Sequence, residues 1–294
     1  MSSSARIEAA LAAALAVVDA KGSPPRLAAA MRHAVFPAGA RVRPRLTLAV
    51  ARACAEDDPA LSGAAAAAIE LLHCASLVHD DLPCFDDAPL RRGRPSVHRA
   101  FGERLAVLAG DALIVLAFQS LAAAAARAPQ RLAALVALVA GGVGMPRGIA
   151  AGQAWECEPQ VRLREYQRAK TGALFAAATG AGALAAGADA RPWLALGEAL
   201  GEAYQVADDI RDVVASVQLL GKPVGRDLAL GRPSMAREHG LDGAIAQFAR
   251  LIGSAIDAVP ACPGAADLRA LVRREAERLL PETPPARAAA VPAA

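Results

Sequence analysis

Residues 69–87 read IELLHCASLVHDDLPCFDD, an apolar helix-like segment that ends in two pairs of aspartates. A second acidic cluster, DDIRD at residues 208–212, also lies in an apolar, helix-like stretch. Carboxylates one turn apart on a helix repel one another, and a carboxylate beside apolar residues is costly to desolvate. A hard divalent cation such as Mg²⁺ relieves both costs, because it prefers oxygen ligands and usually takes one or two carboxylates together with phosphate oxygens. The two clusters therefore predict a metal site formed by two helices.

Basic residues follow each cluster, and they indicate what the metal would help to bind. They are Arg91, Arg92, Arg94, Lys222, Arg226 and Arg232. Arginine and lysine are the usual phosphate-binding side chains, so this combination predicts a site for a metal–diphosphate substrate. Three aspartates on one helix, such as Asp208, Asp209 and Asp212, are by themselves more often a solvated face. Two such clusters on apolar helices, each followed by cations, favour the metal site.

The composition predicts an all-α fold. Of the 294 residues, 55% are hydrophobic and only 3% are aromatic. Much of the hydrophobic content is alanine, which is the best helix former and a poor strand residue. The two acidic clusters share a site only within one fold, so we expect a single catalytic domain over residues 1–280 and a disordered tail over 281–294. The charge of +3, from 32 basic and 29 acidic residues, is too balanced to indicate nucleic-acid binding.

Proline and glycine positions divide the chain into helices. The predicted helices span about 25–36, 44–54, 62–82, 103–126, 130–143, 146–158, 163–188, 191–220, 241–258 and 264–280. Ser62 is the expected cap of the third, and residues 84–97 and 221–227 are expected loops. The apolar run 9–18 reads as an ordinary first helix, with a signal peptide as the lesser alternative. The uncharged stretch 172–188 favours a buried core helix over a membrane span.

The cysteines indicate the cellular compartment. There are five, at positions 54, 74, 84, 157 and 262, and they are scattered without metal-ligand spacing. Scattered cysteines in odd number are typical of reduced thiols in a cytoplasmic protein.

Five segments together resemble the short-chain trans-prenyl diphosphate synthases, the family that makes farnesyl and geranylgeranyl diphosphate. Asp80–Asp86 resembles the family's first aspartate-rich motif in its bacterial form, with four residues between the aspartate pair and the third aspartate. The other matching segments are 91–98 (RRGRPSVH), 208–212 with Gln205 before it, 39–44 (GARVRP, against Gly-Lys-Arg-x-Arg-Pro) and 170–172 (KTG). They run from about residue 30 to 235 in the family order, which makes the combination highly specific.

The resemblance implies a role for each matching residue. Asp80 and Asp86 would hold Mg²⁺ on one side of an allylic diphosphate, and Mn²⁺ could take its place. Asp208 would hold Mg²⁺ on the opposite side of the diphosphate, with Asp212 near that second site. Asp81 and Asp209 would orient these ligands. The allylic diphosphate would be contacted by Arg91, Lys170, Gln205 and Lys222, and the diphosphate of isopentenyl diphosphate by Arg43, His73 and Arg92. Thr171 and Gln205 would stabilise the allylic cation. Without the family pattern, Lys170 and Arg91 would read as surface charges, and His73 equally well as a core histidine.

Four positions depart from the family pattern. Ala40 stands where the family usually carries lysine, which removes a cation from the isopentenyl site, and Arg41 or a neighbouring arginine is expected to compensate. Glu156 replaces the usual aspartate. Arg226 and Arg232 replace lysines, which keeps the charge but changes a point charge into a planar fork.

The resemblance implies an all-α homodimer, without a membrane span, that condenses isopentenyl diphosphate with dimethylallyl, geranyl or farnesyl diphosphate. Ala75 and Ser76, where fifteen-carbon enzymes often carry an aromatic floor, are both small. This favours geranylgeranyl diphosphate, for isoprenoid and carotenoid synthesis, over the alternative product farnesyl diphosphate.

Three competing hypotheses come from different classes of protein. They are a non-catalytic partner subunit of the same fold, a head-to-head synthase or terpene cyclase, and a helical scaffold without catalysis. The complete acidic clusters argue against the partner subunit, and the residues of an isopentenyl site argue against the cyclase. A scaffold would require both acidic motifs to arise by chance.

Overall fold

Helices make up nearly all of the regular structure in the computed structural model, which describes residues 2–36, 38–160, 163–218 and 235–280. In the first half of the chain they are α1 (Ser3–Leu15), α2 (Pro25–Val35), α3 (Val42–Ala53), α4 (Pro59–Asp80), α5 (Val97–Phe101), α6 (Glu103–Ala124) and α7 (Pro129–Val143). In the second half they are α8 (Ile149–Ala154), α9 (Leu163–Gln167), α10 (Ala173–Ala185), α11 (Arg191–Gln218), α12 (Met235–Asp257) and α13 (Ala265–Leu279). The predicted all-α class is confirmed.

Several local features differ from the predicted elements. The short helix α5 was not predicted, and the expected helix 146–158 is the shorter α8 followed by a 3₁₀ turn, Trp155–Cys157. The expected loop 84–97 contains a small antiparallel hairpin, β1 (Leu90–Arg91) and β2 (Arg94–Pro95). The expected helix 163–188 is interrupted by a π-helical turn, Arg168–Gly172, between α9 and α10. The expected loop 221–227 and the expected tail 281–294 lie outside the described residues.

Helix α4 is the centre of the main core. It packs against α1, α3, α6 and α10, and nearly every residue from Leu61 to Leu72 is buried. The helix begins at Pro59 and is capped by Asp58, whose carboxylate accepts hydrogen bonds from the backbone N–H groups of Ala60 and Leu61 at 3.0 Å each. The prediction of Ser62 as the cap is therefore wrong: Ser62 is buried within the first turns and donates its hydroxyl to the carbonyl of Asp58.

The N-terminal apolar run forms an ordinary packed helix. Ile7, Leu11 and Leu15 of α1, spaced four apart, are fully buried in the same cluster as α4. Helical spacing places these three side chains on one face, and that face covers one side of α4. This confirms the interpretation of residues 9–18 as part of a first helix of the fold.

By length and composition alone, α4 and the stretch Glu103–Arg127 could each cross a membrane. Their burial differs. In α4, 78% of the apolar window is buried inside the protein, so core packing accounts for its composition. In Glu103–Arg127 the buried share is 39%, and Val107, Leu108 and Val115 of α6 are 42%, 51% and 55% exposed. Helix α6 therefore presents an apolar face on the surface of the chain.

A second apolar cluster joins α3, α10, α11 and the C-terminal helices. Phe175 and Trp193 are its large members, and Leu46, Val259 and Leu268 pack in the same cluster. Helix α11 continues into a third cluster with α12, around Ile210 and Phe248. These contacts fix α11, which carries the second acidic cluster, against the helices that surround α4.

Candidate active site

A cavity of about 410 Å³ lies where the C-terminal half of α4 meets the start of α3, the short helix α8, the π-helical turn and α11. Its lining comprises Gly39, Ala40, Arg41, Val42, Arg43, Glu70, His73, Ser76, Leu77, Asp80, Arg91, Arg92, Ile149, Gln153, Lys170, Thr171, Tyr204 and Asp208. Residues from both acidic clusters and from both candidate diphosphate sites thus face one space.

Most of the predicted site residues are brought together here, and the remaining ones fall into three groups. Gln205 lies directly behind the lining, and Asp86 lies in the turn that follows α4. Ala75 is almost fully buried in the core cluster around α4 and is not among the residues that line this cavity, whereas its neighbour Ser76 is. Lys222 and the side chain of Asp212 lie outside the described residues.

Asp80, the last residue of α4, is mostly buried and faces the cavity. Its Oδ1 accepts hydrogen bonds from Lys170 Nζ at 3.2 Å and from Gln153 Nε2 at 3.4 Å. The chain beyond Pro83 turns back so that the backbone N–H of Asp86 donates to the carbonyl of Asp80 at 3.0 Å. The first and third aspartates of the motif are therefore held close together by the backbone.

Asp81 has different surroundings from Asp80. Arg91 Nε donates to both carboxylate oxygens of Asp81, at 3.0 and 3.2 Å, and Arg91 Nη2 donates to Oδ1 as well. Burial raises the pKa of Asp81, and the bonds from Arg91 oppose that shift without cancelling it. Burial alone would lower the pKa of Arg91, but its hydrogen bonds to Asp81 raise it. The pair anchors the hairpin to the end of α4.

The second acidic cluster enters the cavity from α11 through Asp208. This carboxylate forms an ion pair with Arg211, one turn further along the helix. Asp209 accepts a hydrogen bond from Gln205 Nε2 at 3.2 Å, and Gln205 Oε1 accepts one from the hydroxyl of Thr171 at 3.2 Å. These two bonds fix the orientation of the Gln205 amide and of the Thr171 hydroxyl.

Lys170 and Thr171 lie in the π-helical turn, which two glycines allow to pack closely against its neighbours. A Cβ at Gly152 of α8 would lie 2.5 Å from the Cα of Lys170, and a Cβ at Gly201 of α11 would lie 2.7 Å from the Cα of Gly172. Such approaches are possible only without a side chain. Lys170 Nζ then reaches Asp80 and also Glu156 Oε1, at 2.7 Å, while the Tyr166 hydroxyl donates to the same glutamate at 2.6 Å.

Arg43 and His73 form a compact basic corner of the cavity. The guanidinium carbon of Arg43 lies 4.5 Å from the ring centroid of Phe175 and 5.8 Å from that of Tyr204, distances typical of cation–π contacts. Arg43 Nη1 lies 3.4 Å from His73 Nε2, and Arg43 Nε is buried without a hydrogen-bond partner. Burial lowers the pKa of Arg43, and burial together with the arginines at 43, 92, 91 and 41 lowers the pKa of His73 well below 6.5. A desolvated cation with an unused donor is suited to bind an anion.

Arg41 also lines the cavity, but its guanidinium is engaged by groups of the protein. It donates to Glu8 Oε1 at 2.9 Å, to Glu70 Oε1 at 2.6 Å and to the carbonyl of Val35 at 2.8 Å. These contacts occupy Arg41 with the protein itself, which leaves Arg43 and Arg92 as the arginines that could compensate for Ala40.

Several residues of the lining, and Phe175 directly behind it, were not singled out from the sequence. Tyr204 and Phe175 stack on Arg43, and Gln153 bonds to Asp80; their positions depend on how the helices pack, and the sequence carries no strong local signal for them. Glu70 does carry a signal, because it is a single carboxylate within an otherwise apolar helix.

The fold and the site together define a class: an all-α protein whose central cavity combines carboxylates from two acidic motifs with diphosphate-type cations. The family model for polyprenyl synthetases matches residues 24–262. The chain is 56% identical to geranylgeranyl diphosphate synthase of Cereibacter sphaeroides, covering 94% of this chain and 96% of that one, and 49% identical to the enzyme of the same name from Rhodobacter capsulatus, covering 95% and 97%. The crystal structure of a Helicobacter pylori geranyltransferase complexed with magnesium and isoprenyl diphosphate superposes with a TM-score of 0.76 at 26% identity, covering 95% of this chain and 98% of that one.

The chain therefore belongs to the polyprenyl synthetase family. It is a prenyltransferase of isoprenoid biosynthesis that acts on isoprenyl diphosphates.

Proposed function

We propose that this prenyltransferase condenses isopentenyl diphosphate with dimethylallyl, geranyl and farnesyl diphosphate in a Mg²⁺-dependent reaction that ends at geranylgeranyl diphosphate. One observation carries the proposal: Asp80 and Asp208, from two distant acidic motifs, face the same cavity as Arg43, Arg92 and Lys170. Carboxylates on one side and phosphate-binding cations around them match a metal–diphosphate substrate better than any other ligand class.

The donor set fits magnesium that binds together with its substrate. No three metal-ligating side chains of the described residues lie close enough to form a preformed site. Mg²⁺ usually takes one or two carboxylates and completes its shell with water and substrate phosphate oxygens. We propose Asp80 and Asp86 on one side and Asp208 on the other as the protein ligands, with Asp212 near the second site and Mn²⁺ as an alternative ion. Metal held by these residues would neutralise the diphosphate and make it a better leaving group.

The protein residues around the allylic diphosphate bind and orient it. We assign this role to Arg91, Lys170 and Gln205 on the basis of their places at or behind the cavity wall, and to Lys222 by resemblance alone. Thr171 donates its hydroxyl hydrogen to Gln205, so the lone pairs of its oxygen are left to face the cavity and can stabilise an allylic cation. The double bond of isopentenyl diphosphate attacks that cation, a proton is lost to the departing diphosphate, and the chain grows by five carbons.

Isopentenyl diphosphate is assigned to the basic corner. Arg43, His73 and Arg92 line one region of the cavity, and Arg43 has a buried donor without a partner. His73 is neutral at ordinary pH because its pKa is lowered, so it can accept the hydrogen bond from Arg43 Nη1 and donate from its other nitrogen. The charge of this subsite therefore comes from arginine.

A twenty-carbon product is supported by a small side chain, Ser76, on the face of α4 that lines the cavity, and by the equally small Ala75 beside it in the core. Ser76 lines the cavity one turn below Asp80, and Ala75 is its buried neighbour. Neither is the aromatic residue that would form a floor for the growing prenyl tail. Both relatives described above are named for the same product, whereas farnesyl diphosphate is the alternative.

We also propose that the enzyme is a homodimer, with a second copy covering the apolar face of α6. This face is made by Val107, Leu108 and Val115, which are exposed on one helix, and large contiguous apolar surfaces usually mark an interface.

Residues 1–280 are proposed as one catalytic domain. A cytoplasmic location and a role in supplying carotenoid precursors are further proposals; the free cysteines at 54, 74, 84, 157 and 262 support a reducing compartment.

Product analysis tests the function directly. Purified enzyme receives labelled isopentenyl diphosphate with each allylic starter in turn, and the products are dephosphorylated and sized. We expect twenty-carbon alcohol from all three starters and no turnover in excess chelator. Accumulation of fifteen-carbon product would favour farnesyl diphosphate synthase, and no product from any starter would favour a non-catalytic subunit.

A further inference from the structure

Glu70 is a buried carboxylate in the middle of α4, one turn before His73. Only 2% of the residue is exposed, and its neighbours Ile69 and Leu71 are fully buried in the apolar core. A carboxylate in such a place requires cationic partners. Glu70 Oε1 accepts a hydrogen bond from Arg41 Nη1 at 2.6 Å and forms an ion pair with Arg92 Nη2 at 3.7 Å.

Both arginines have an unusual backbone conformation. Arg41, the residue before α3, has φ 51°, and Arg92 has φ 54°, each in the left-handed region that non-glycine residues disfavour. Strained residues of this kind persist where the surrounding contacts determine them, and they cluster at functional sites. Here both strained residues direct their side chains to the same carboxylate.

The backbone conformation of the turn that carries Arg92 does not favour arginine. Arg92 and Gly93 join β1 to β2, and both have positive φ, as in a type I′ turn. The first central position of that turn favours asparagine, aspartate or glycine. Arginine has no advantage for this backbone, so its side chain accounts for its presence there.

Arg92 is also held from a second side. A Cβ added to Gly39 would lie 2.7 Å from the Cζ and Nε atoms of Arg92, so the guanidinium lies directly against the backbone at residue 39. The Arg92 side chain is 22% exposed, and Arg92 is among the residues that line the cavity.

We propose that Glu70 is a positioning residue for isopentenyl diphosphate binding, acting through Arg92. Arg41 is the closer partner and balances the charge of Glu70. The longer contact from Glu70 to Arg92 orients the Arg92 guanidinium, whose charge then remains available for the substrate diphosphate. This inference rests on the proposed assignment of Arg92 to the isopentenyl site. Arg41 then has a defined role as well. Through Glu70 it supports Arg92, which makes up for the lysine absent at position 40.

A double-mutant cycle tests the proposal. Glu70→Gln keeps the size of the side chain and removes its charge. We expect the KM for isopentenyl diphosphate to rise about tenfold, the lower end for a lost charge-assisted contact. The KM for farnesyl diphosphate and kcat should stay within twofold. In the Arg92→Gln background, Glu70→Gln should change the isopentenyl KM by less than twofold, because the group through which it acts is gone.

Glu56→Gln is the matched control. Glu56 is another mostly buried glutamate, paired with Arg6 at 2.6 Å and remote from the cavity lining, so its loss should lower the Tm but leave both KM values unchanged. If Glu70→Gln does not fold, Gly39→Ala replaces it, since a methyl group there displaces the Arg92 guanidinium and should raise the isopentenyl KM in the same way.

The outcomes separate the inference from the function on which it rests. An isopentenyl KM that is unchanged in Glu70→Gln, or raised equally with and without Arg92, overturns the positioning role. An Arg92→Gln variant with an unchanged isopentenyl KM removes the proposed role of Arg92 and the inference with it.

Discussion

Replacing Gly152 by alanine would test whether close packing against α8 positions the π-helical turn that carries Lys170 and Thr171. The added Cβ would lie 2.5 Å from the Cα and 2.8 Å from the Cβ of Lys170, whereas ordinary contacts begin at 3.4 Å. Helix α8 and the π-helical turn must then separate by nearly an ångström. A misplacement of about 1 Å can cost 10²-fold in rate, and overpacking costs about 1–3 kcal/mol of stability. We therefore expect kcat to fall about 10²-fold and the Tm to fall modestly.

The assay compares steady-state turnover and thermal unfolding with two further variants. Gly201→Ala pushes on the same turn from α11, where a Cβ would lie 2.7 Å from the Cα of Gly172, and should have a similar effect. Gly253→Ala on the exposed side of α12 meets nothing within 4 Å and should keep full activity, with about 0.5–1 kcal/mol of added stability from helix propensity. A folded Gly152→Ala enzyme with kcat within twofold of wild type would refute the reasoning.

Other substitutions test the metal ligands, the isopentenyl subsite and the cavity depth. Asp80→Ala and Asp208→Ala should each lower kcat by about 10²-fold or more, the scale for removing a charge-stabilising group, and near-wild-type rates would exclude them as ligands. Ala40→Lys should lower the isopentenyl KM by adding a contact of ~1.5–3 kcal/mol and leave the allylic KM unchanged; no effect would mean that Arg43 and Arg92 suffice. Ala75→Phe and Ser76→Phe should each shift the sized product towards fifteen carbons, and twenty-carbon product from both would contradict the proposed tail path.

Much of the architecture could be predicted because its determinants are local. Alanine content, proline starts and apolar spacing indicate helices. The observed α2, α3, α6 and α7 begin and end within a few residues of the predicted limits, and α11 begins at the predicted residue. The hairpin escaped prediction because strands of two residues are too short to show a period-two pattern. The π-helical turn escaped it because the extra residue is accommodated by the glycines at 152 and 201, which are far from the turn in sequence.

The cavity wall shows where local reasoning about side chains reaches its limit. The sequence places Arg41 and Arg43 two residues apart and suggests that either could replace a missing lysine. In the structure the left-handed backbone at Arg41 turns its side chain inward to Glu8 and Glu70, while Arg43 enters the cavity against Phe175. The direction of each arginine is set by its partner carboxylate or aromatic ring, and each of these partners lies on another helix. The direction of a charged side chain within a motif therefore depends on the location of its counter-charge, and for Arg41 and Arg92 that counter-charge is Glu70.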